Sequence, residues 1–180
     1  MKHCFLVTGP NCSGKTTTVA RVLERFNPGQ DSIVSIGADN DSMFKGEATE
    51  QEAALVDLWK HDVQVLIIEG TRINTPLMRV AKRFPQDRQL HVLMTTQTPP
   101  VMRQHLIDRC AKRNKVFRAE YWTDQKLSYE GQKRYPNSFA KNGVRYKTYT
   151  IDPGYTVCQT LADDLVMAIQ FALGRDCGYE

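Results

Sequence analysis

One segment limits the possible folds of this chain more than any other: the run Gly9-Pro10-Asn11-Cys12-Ser13-Gly14-Lys15-Thr16, which fits the pattern G-x-x-x-x-G-K-[ST]. An apolar segment, 3–8, precedes it and is predicted to form a buried strand, and residues 15–26 after it are predicted to form a helix. In that setting the glycines allow backbone N–H groups to turn inward around a polyphosphate, at the positive end of the helix. The run therefore predicts a loop that binds the phosphates of ATP or GTP.

Within this loop, each residue type predicts a contact with the nucleotide. Lys15 is expected to reach the β- and γ-phosphates, and the hydroxyl of Thr16 is expected to be a Mg²⁺ ligand. The predicted nucleotide-binding residues are Gly9, Pro10, Asn11, Cys12, Ser13, Gly14, Lys15, Thr16 and Thr17.

Strand and helix patterns alternate along the rest of the chain. The predicted strands are 3–8, 32–36, 63–68, 89–95 and 144–151; the predicted helices are 15–26, 47–60, 76–84, 99–113 and a closing helix that ends near residue 174. The continuous apolar run within 63–68 is typical of a strand buried on both faces of a parallel sheet. We therefore expect a three-layer α/β fold with a five-stranded parallel sheet flanked by helices, in a single domain over residues 1–180.

Composition excludes several other classes of protein. Apolar residues make up 41% and charged residues 24% of the 180 positions, which is typical of a globular domain rather than a disordered one. No apolar run approaches the roughly 18–20 residues that a membrane span requires. The five cysteines have no CxxC spacing, and the N-terminal residues do not resemble a signal peptide. We expect a cytoplasmic protein with no membrane contact, of a size that suits a monomer.

Positive charge is concentrated in one part of the chain. Residues 111–150 hold 10 basic and 3 acidic side chains, a net charge of +7, whereas the whole chain carries +4. Aromatic residues are interleaved with this charge. Such a pattern can bind a phosphate backbone while bases stack on the rings, although solvated basic residues and core aromatics would give the same pattern.

Four segments, in this order, carry a resemblance to a known family: Gly9 to Thr18, Asp39-Asn40-Asp41, Glu69-Gly70-Thr71-Arg72, and Arg109 with Arg113. Together they resemble the nucleotide-kinase group of P-loop proteins, which includes adenylate kinase, gluconate kinase and polynucleotide kinase. The resemblance implies the P-loop NTPase fold, ATP and Mg²⁺ as cofactors, and a small basic lid over about residues 111–142. It also implies a Mg²⁺ contact through water for Glu69, which stands where the family has Asp. The implied catalytic residues are Lys15, Asp39, Asp41, Arg109 and Arg113.

The segment after the second strand distinguishes between two kinds of phosphate acceptor. Residues 37–62 carry a net charge of −5 and contain no arginine. A monophosphate acceptor is a dianion that arginines usually hold, whereas a neutral hydroxyl needs a carboxylate to orient it and take its proton. Asp39 or Asp41 suits the second role, and Asp39 lies nearer the end of the strand. An Asp that merely caps a turn is the alternative.

The acidic segment and the basic block together resemble polynucleotide kinase and the small viral kinases that phosphorylate hydroxymethylated pyrimidines in DNA. That resemblance implies DNA, another nucleic acid or a nucleotide as the acceptor, and a host-cytoplasmic location for a viral protein. Two alternatives stay open: a nucleoside monophosphate kinase whose Arg72, Arg79 and Lys45 hold the acceptor phosphate, and a non-kinase ATP-binding or ATPase module. The expected acceptor-binding residues are Lys45, Glu69, Arg72, Arg118, Trp122, Lys133 and Arg134, with further phosphate contacts from Lys126, Lys141 and Lys147 and stacking by Tyr135.

Overall fold

The computed structural model describes residues 1–39, 44 and 46–175. Its strands are β1 (Lys2–Thr8), β2 (Ile33–Gly37), β3 (Val65–Glu69), β4 (Arg88–Thr96) and β5 (Tyr146–Thr150). Its helices are α1 (Lys15–Leu23), α2 (Pro28–Asp31), α3 (Ala48–Leu58), α4 (Asn74–Val80), α5 (Pro99–Lys112), α6 (Ala119–Gln132), α7 (Tyr135–Lys141) and α8 (Gln159–Ala172). A 3-10 turn, Ala81–Arg83, extends α4. No helix in this part of the chain combines the length and apolar character that a bilayer crossing needs.

The five strands form one parallel sheet in the order β2-β3-β1-β4-β5. Strand β1 lies at its centre, with Phe5 opposite Ile67 of β3 on one side and His91 of β4 on the other. Because all strands run the same way, the segments that follow β1, β2, β3 and β4 meet at one edge of the sheet. In open α/β sheets, ligands bind at this carboxyl edge, at the point where the order of strand addition reverses. In this sheet that point lies between β1 and β4.

Alternating side chains of β1 separate the core into two layers. Phe5 and Val7 pack against α1 and α8 on one face of the sheet, whereas Cys4 and Leu6 pack against α3 and α4 on the other. All four side chains are buried. Helices thus cover both faces, which confirms the predicted three-layer α/β fold.

The basic segment differs most from the sequence expectation, which assigned no helix between residues 114 and 142. Here the chain forms α6 and α7, and Arg118 is the residue that precedes α6. Leaving aside Ser128, Gln132 is the one described side chain of α6 that is buried. A helix that buries almost no apolar face has no 3.6-residue hydrophobic periodicity, which is why the sequence pattern did not predict it.

Candidate active site

The phosphate loop connects β1 to α1 and depends on two glycines with positive φ. Gly9 has φ +142°, and a Cβ atom there would lie 2.3 Å from Oγ1 of Thr95. Gly14 has φ +67°, and a Cβ atom there would lie 2.4 Å from the carbonyl oxygen of Thr156. The loop therefore packs between the end of β4 and the segment after β5, and only glycine fits these two positions without displacing the neighbouring backbone.

Lys15 begins α1 inside this loop, and its side chain is 6% exposed. Its Nζ donates to the carbonyl oxygen of Pro10 at 2.8 Å, which closes the loop around the base of the helix. Burial lowers the pKa of Lys15, and the nearby carboxylates of Asp39 and Glu69 oppose that effect. Neither carboxylate forms an ion pair with Lys15 in the described structure, so its ammonium group is available to bind a phosphate anion.

Thr16 and Glu69 bring together a hydroxyl and a carboxylate next to the loop. The Thr16 hydroxyl lies 3.0 Å from each carboxylate oxygen of Glu69. Burial raises the pKa of Glu69, while the hydrogen bond from Thr16 and the charge of Lys15 act in the opposite direction. Oxygen donors of this kind are the ligands that Mg²⁺ takes beside nucleotide phosphates, so these residues fit the metal that the sequence implied.

Asp39 follows β2 and is held by the backbone that follows β3. The Thr71 N–H donates to its Oδ1 and Oδ2 at 2.9 and 3.0 Å, and the Arg72 N–H donates to Oδ1 at 3.1 Å. Gly70, immediately after β3, permits this close approach, because a Cβ atom at that position would lie 3.0 Å from Oδ1 of Asp39. The carboxylate is thus fixed in orientation, half-buried, at the edge of the sheet where the phosphate loop lies. Asp41 and Lys45, the other acceptor-side residues expected from the sequence, lie outside the described residues.

These elements enclose a cleft of about 630 Å³. Within the described part of the chain, five cationic side chains and two carboxylates line it, and this net positive charge would attract a polyanion. The lining residues are Asn11, Cys12, Ser13, Gly14, Lys15, Thr16, Thr17, Asp39, Thr71, Arg72, His105, Asp108, Arg109, Lys112, Arg113 and Thr156. The structure therefore brings Asp39, Arg72, Arg109 and Arg113 to the same cleft as most of the phosphate loop.

The arginines reach the cleft from two directions. Arg109 lies in the last turn of α5 and Arg113 immediately follows that helix. Arg109 also places Nη1 3.7 Å from Sγ of Cys12 in the phosphate loop. Arg72 comes from the opposite wall, beside Asp39, and its Nη1 donates to the carbonyl oxygen of Phe44 at 3.4 Å. Cationic groups thus flank the loop on both sides.

The other acceptor-side residues expected from the sequence do not line this cleft in the described structure. Arg118 and Arg134 are exposed, and Trp122 is half-buried on α6. Lys133 pairs with Glu130 at 2.9 Å. Of the further residues expected to contact phosphates or bases, Lys147 pairs with Asp164. Tyr135 packs against the core, with its hydroxyl 3.1 Å from that of Thr75.

Several cleft residues were absent from the sequence prediction: Thr71, His105, Asp108, Lys112 and Thr156. Two of them could have been predicted from the sequence. Thr71 lies within the segment 69–72 after β3, and His105 lies four residues before Arg109, on the same face of α5. No sequence pattern identifies Thr156, because its approach to Gly14 depends on how the segment after β5 packs on the loop.

Comparison with known proteins supports the fold but gives no close relative. No protein-family model matches the chain, and no curated protein matches its sequence significantly. A gluconokinase from Sinorhizobium meliloti 1021 is similar in structure, with 12% identity and a TM-score of 0.56 over 96% of this chain and 91% of that one. A shikimate kinase from Bacteroides thetaiotaomicron gives 16% identity and a TM-score of 0.52 over 96% and 98% of the two chains.

A third similar structure is an uncharacterized protein from Eubacterium ventriosum ATCC 27560, with 12% identity and a TM-score of 0.58 over 95% of this chain and 99% of that one. At these identities the likeness concerns the fold alone. Together with the parallel sheet and the glycine-dependent loop after β1, it shows that this chain has the three-layer α/β fold of P-loop NTPases.

Proposed function

We propose that this protein is a Mg²⁺-dependent kinase that transfers the γ-phosphoryl group of ATP to a hydroxyl group. The observation that carries the proposal is the position of Asp39, a carboxylate fixed by two backbone N–H groups in the same cleft as Lys15 and Thr16. A carboxylate at this position is the group that a hydroxyl acceptor requires as a base.

The chain's own residues supply the binding of ATP and Mg²⁺. The loop from Gly9 to Thr17 would hold the phosphates, with Lys15 at the β- and γ-phosphates. Thr16 would bind Mg²⁺ directly and Glu69 would do so through water. When bound, Mg·ATP supplies the phosphoryl group and a cation that neutralises its charge.

Asp39 would act on the acceptor. A carboxylate offers about four acceptor positions, and the N–H groups of Thr71 and Arg72 do not use all of them. A remaining lone pair can accept the hydrogen bond of an incoming hydroxyl and then its proton, as a general base does in phosphoryl transfer. Arg109 and Arg113 would neutralise charge on the group in transfer.

The acceptor that we propose is a hydroxyl of a nucleic acid or nucleotide. Supporting this are the exposed basic side chains beyond the cleft, where Arg118, Lys126, Arg134 and Lys141 have no ion pair within the described structure. A DNA or RNA backbone would compensate this charge. Small hydroxylated compounds are the competing acceptors, since two proteins of the same fold are a gluconokinase and a shikimate kinase.

A monophosphate acceptor is the second candidate, favoured by one observation. Arg72 lies in the wall of the cleft beside Asp39, where a guanidinium group could bind an acceptor phosphate. The two candidates differ in what they require of Asp39, because an acceptor phosphate already carries its nucleophilic oxygen as an anion.

The test compares Asp39→Asn with Asp163→Asn, a control on α8 whose carboxylate accepts a hydrogen bond from Gln159. Asn keeps the size of Asp and one acceptor for the Thr71 and Arg72 N–H groups but is no base. We expect Asp39→Asn to lower kcat at least about a hundredfold, with affinity for Mg·ATP unchanged. Unaltered transfer by Asp39→Asn would overturn the hydroxyl-kinase proposal.

A further inference from the structure

One residue of the phosphate loop has a backbone conformation that its side chain does not favour. Cys12 has φ +60°, in the left-handed region that glycine adopts easily and other residues avoid. It lies between Gly9 and Gly14, within the loop that the sequence predicts to bind phosphates. Within the loop, the N–H and the hydroxyl of Ser13 donate to the carbonyl oxygen of Pro10 at 3.4 and 2.7 Å, and contacts from outside the loop add to this support.

A contact from outside the loop comes from His105 of α5. Its Nδ1 lies 3.2 Å from the carbonyl oxygen of Cys12 and 3.0 Å from Oε1 of Gln97. Both partners are carbonyl oxygens, which only accept, so Nδ1 carries the hydrogen and donates to both. No hydrogen bond engages Nε2 of His105 among the described residues.

Gln97 completes the arrangement from the segment after β4. It is 2% exposed, and its Nε2 lies 3.5 Å from the carbonyl oxygen of Asn11. That orientation turns Oε1 toward His105. The carbonyl groups of Asn11 and Cys12 are thus held by two neighbouring side chains, and because each peptide unit is planar, the following N–H groups are fixed as well.

We propose that His105 is a positioning residue that preforms the phosphate loop. Its Nδ1–H, oriented by Gln97, holds the carbonyl of Cys12 and with it the left-handed turn, so that the loop N–H groups need little reordering when phosphates bind. The inference rests on the proposed function only in that the loop is taken to bind ATP. His105 acts through Cys12, although its ring also lines the cleft.

The experiment uses variants that separate the two ring nitrogens. His105→Asn places an amide donor near the position of Nδ1 and has no group at Nε2, whereas His105→Gln does the reverse. His105→Ala removes both, and Gln97→Ala removes the partner that orients the ring. His61→Ala is the control, since His61 is exposed and lies before β3, at the opposite edge of the sheet.

Affinity for Mg·ATP is measured by calorimetry, with thermal melting to check that each variant is folded, and KM and kcat are measured where transfer is seen. We expect His105→Ala and His105→Gln to raise the Kd about tenfold, the effect of about one lost hydrogen bond to a loop that must be ordered. The Kd of His105→Asn should stay within about twofold of the wild-type value, and the Kd of Gln97→Ala should lie between those of wild type and His105→Ala. The KM for ATP should change more than kcat.

Two results would overturn the inference. One is wild-type affinity in His105→Ala. The other is equal losses in His105→Asn and His105→Ala, which would mean that Nε2 contacts the nucleotide directly. Should His105→Ala fail to fold, the Asn and Gln variants decide the question by the same comparison. If the wild-type protein binds Mg·ATP but transfers no phosphate, the kinase proposal is wrong, while the binding test of His105 stays valid.

Discussion

At the scale of single residues, two residues of the phosphate loop are closely packed by their neighbours. Gly14 lies against the backbone at Thr156, and Lys15 is buried with its Nζ on the carbonyl of Pro10. The sequence predicted both residues, because backbone curvature and phosphate charge require these residue types at these positions. It did not predict Thr156 or Gln97, whose contacts arise only when distant segments pack together.

Gly14→Ala is predicted to destabilise the protein more than Gly143→Ala. Both glycines have positive φ, +67° and +69°, so both substitutions cost about 1 kcal/mol in backbone strain. A Cβ atom at Gly143 meets nothing within 4 Å, whereas at Gly14 it meets backbone at 2.4 Å. We expect an additional loss of roughly 1–3 kcal/mol at Gly14, measured by urea denaturation. Equal losses would show that the loop does not pack against the segment after β5.

Lys15→Met is predicted to abolish most phosphoryl transfer without lowering the melting temperature. Burial lowers the pKa of Lys15, which means that the charged form is disfavoured in the folded protein. Replacing the ammonium group with a thioether should leave the melting temperature unchanged or raise it. Phosphoryl transfer should fall at least about a hundredfold because the phosphates lose their buried cation. A variant that unfolds, or one that keeps full activity, would contradict this assignment.

At the scale of secondary-structure elements, α5 connects the phosphate loop to the basic segment. His105 and Arg109 both contact Cys12, and the helix ends at Arg113, just before the chain enters the region of α6. The sequence predicted the strands and most core helices because their apolar faces give a clear periodicity. It left α6 unassigned because α6 buries almost nothing, and α7 because that helix, although it buries Phe139, has only seven residues. The acceptor-side residues expected there do not line the cleft in the described structure.

Binding of a single-stranded oligonucleotide tests whether α6 presents a phosphate-binding surface. Arg118→Ala/Lys126→Ala should weaken binding and lower the slope of log K against log salt by about 1.4, the value for two lost phosphate contacts on a single strand. Lys82→Ala/Arg83→Ala removes the same charge from the 3-10 turn before β4 and should leave the slope unchanged. Equal slopes for both double variants would exclude a specific role for the α6 region.

At the scale of the whole molecule, a pair of histidines lies at the edge of the sheet opposite the cleft. Near the amino ends of β1 and β4, Nδ1 of His3 lies 3.1 Å from Nε2 of His91, and the ring of Phe5 stacks on His91 at 4.7 Å. Burial lowers the pKa of His91 to about 4, and His3 adds to the effect. Burial also lowers the pKa of His3, with smaller effects from the N-terminal amine and Arg88.

This pair predicts a loss of stability at mildly acidic pH. An unfolded histidine takes up a proton near pH 6.5, while folded His91 resists protonation until about pH 4. The unfolded state therefore binds more protons in this window, and the free energy of unfolding should fall as the pH is lowered from about 6.5 to 4. His91→Phe should flatten that dependence in urea titrations at pH 7.0, 5.5 and 4.5. An unchanged pH dependence in His91→Phe would assign the effect to other groups.

The most direct test of the central claim is a transfer assay with γ-labelled ATP, Mg²⁺ and a panel of acceptors. The panel holds a 5′-hydroxyl oligonucleotide, a duplex that contains hydroxymethyluracil, gluconate, shikimate and the common nucleoside monophosphates. We predict label on a hydroxyl of one of the nucleic acids, and transfer at least about a hundredfold slower when Asp39 is replaced by Asn. Label on gluconate or shikimate alone would keep the hydroxyl kinase and remove the nucleic-acid acceptor. Label confined to a monophosphate, or released only as free phosphate, would contradict the claim that Asp39 activates a hydroxyl.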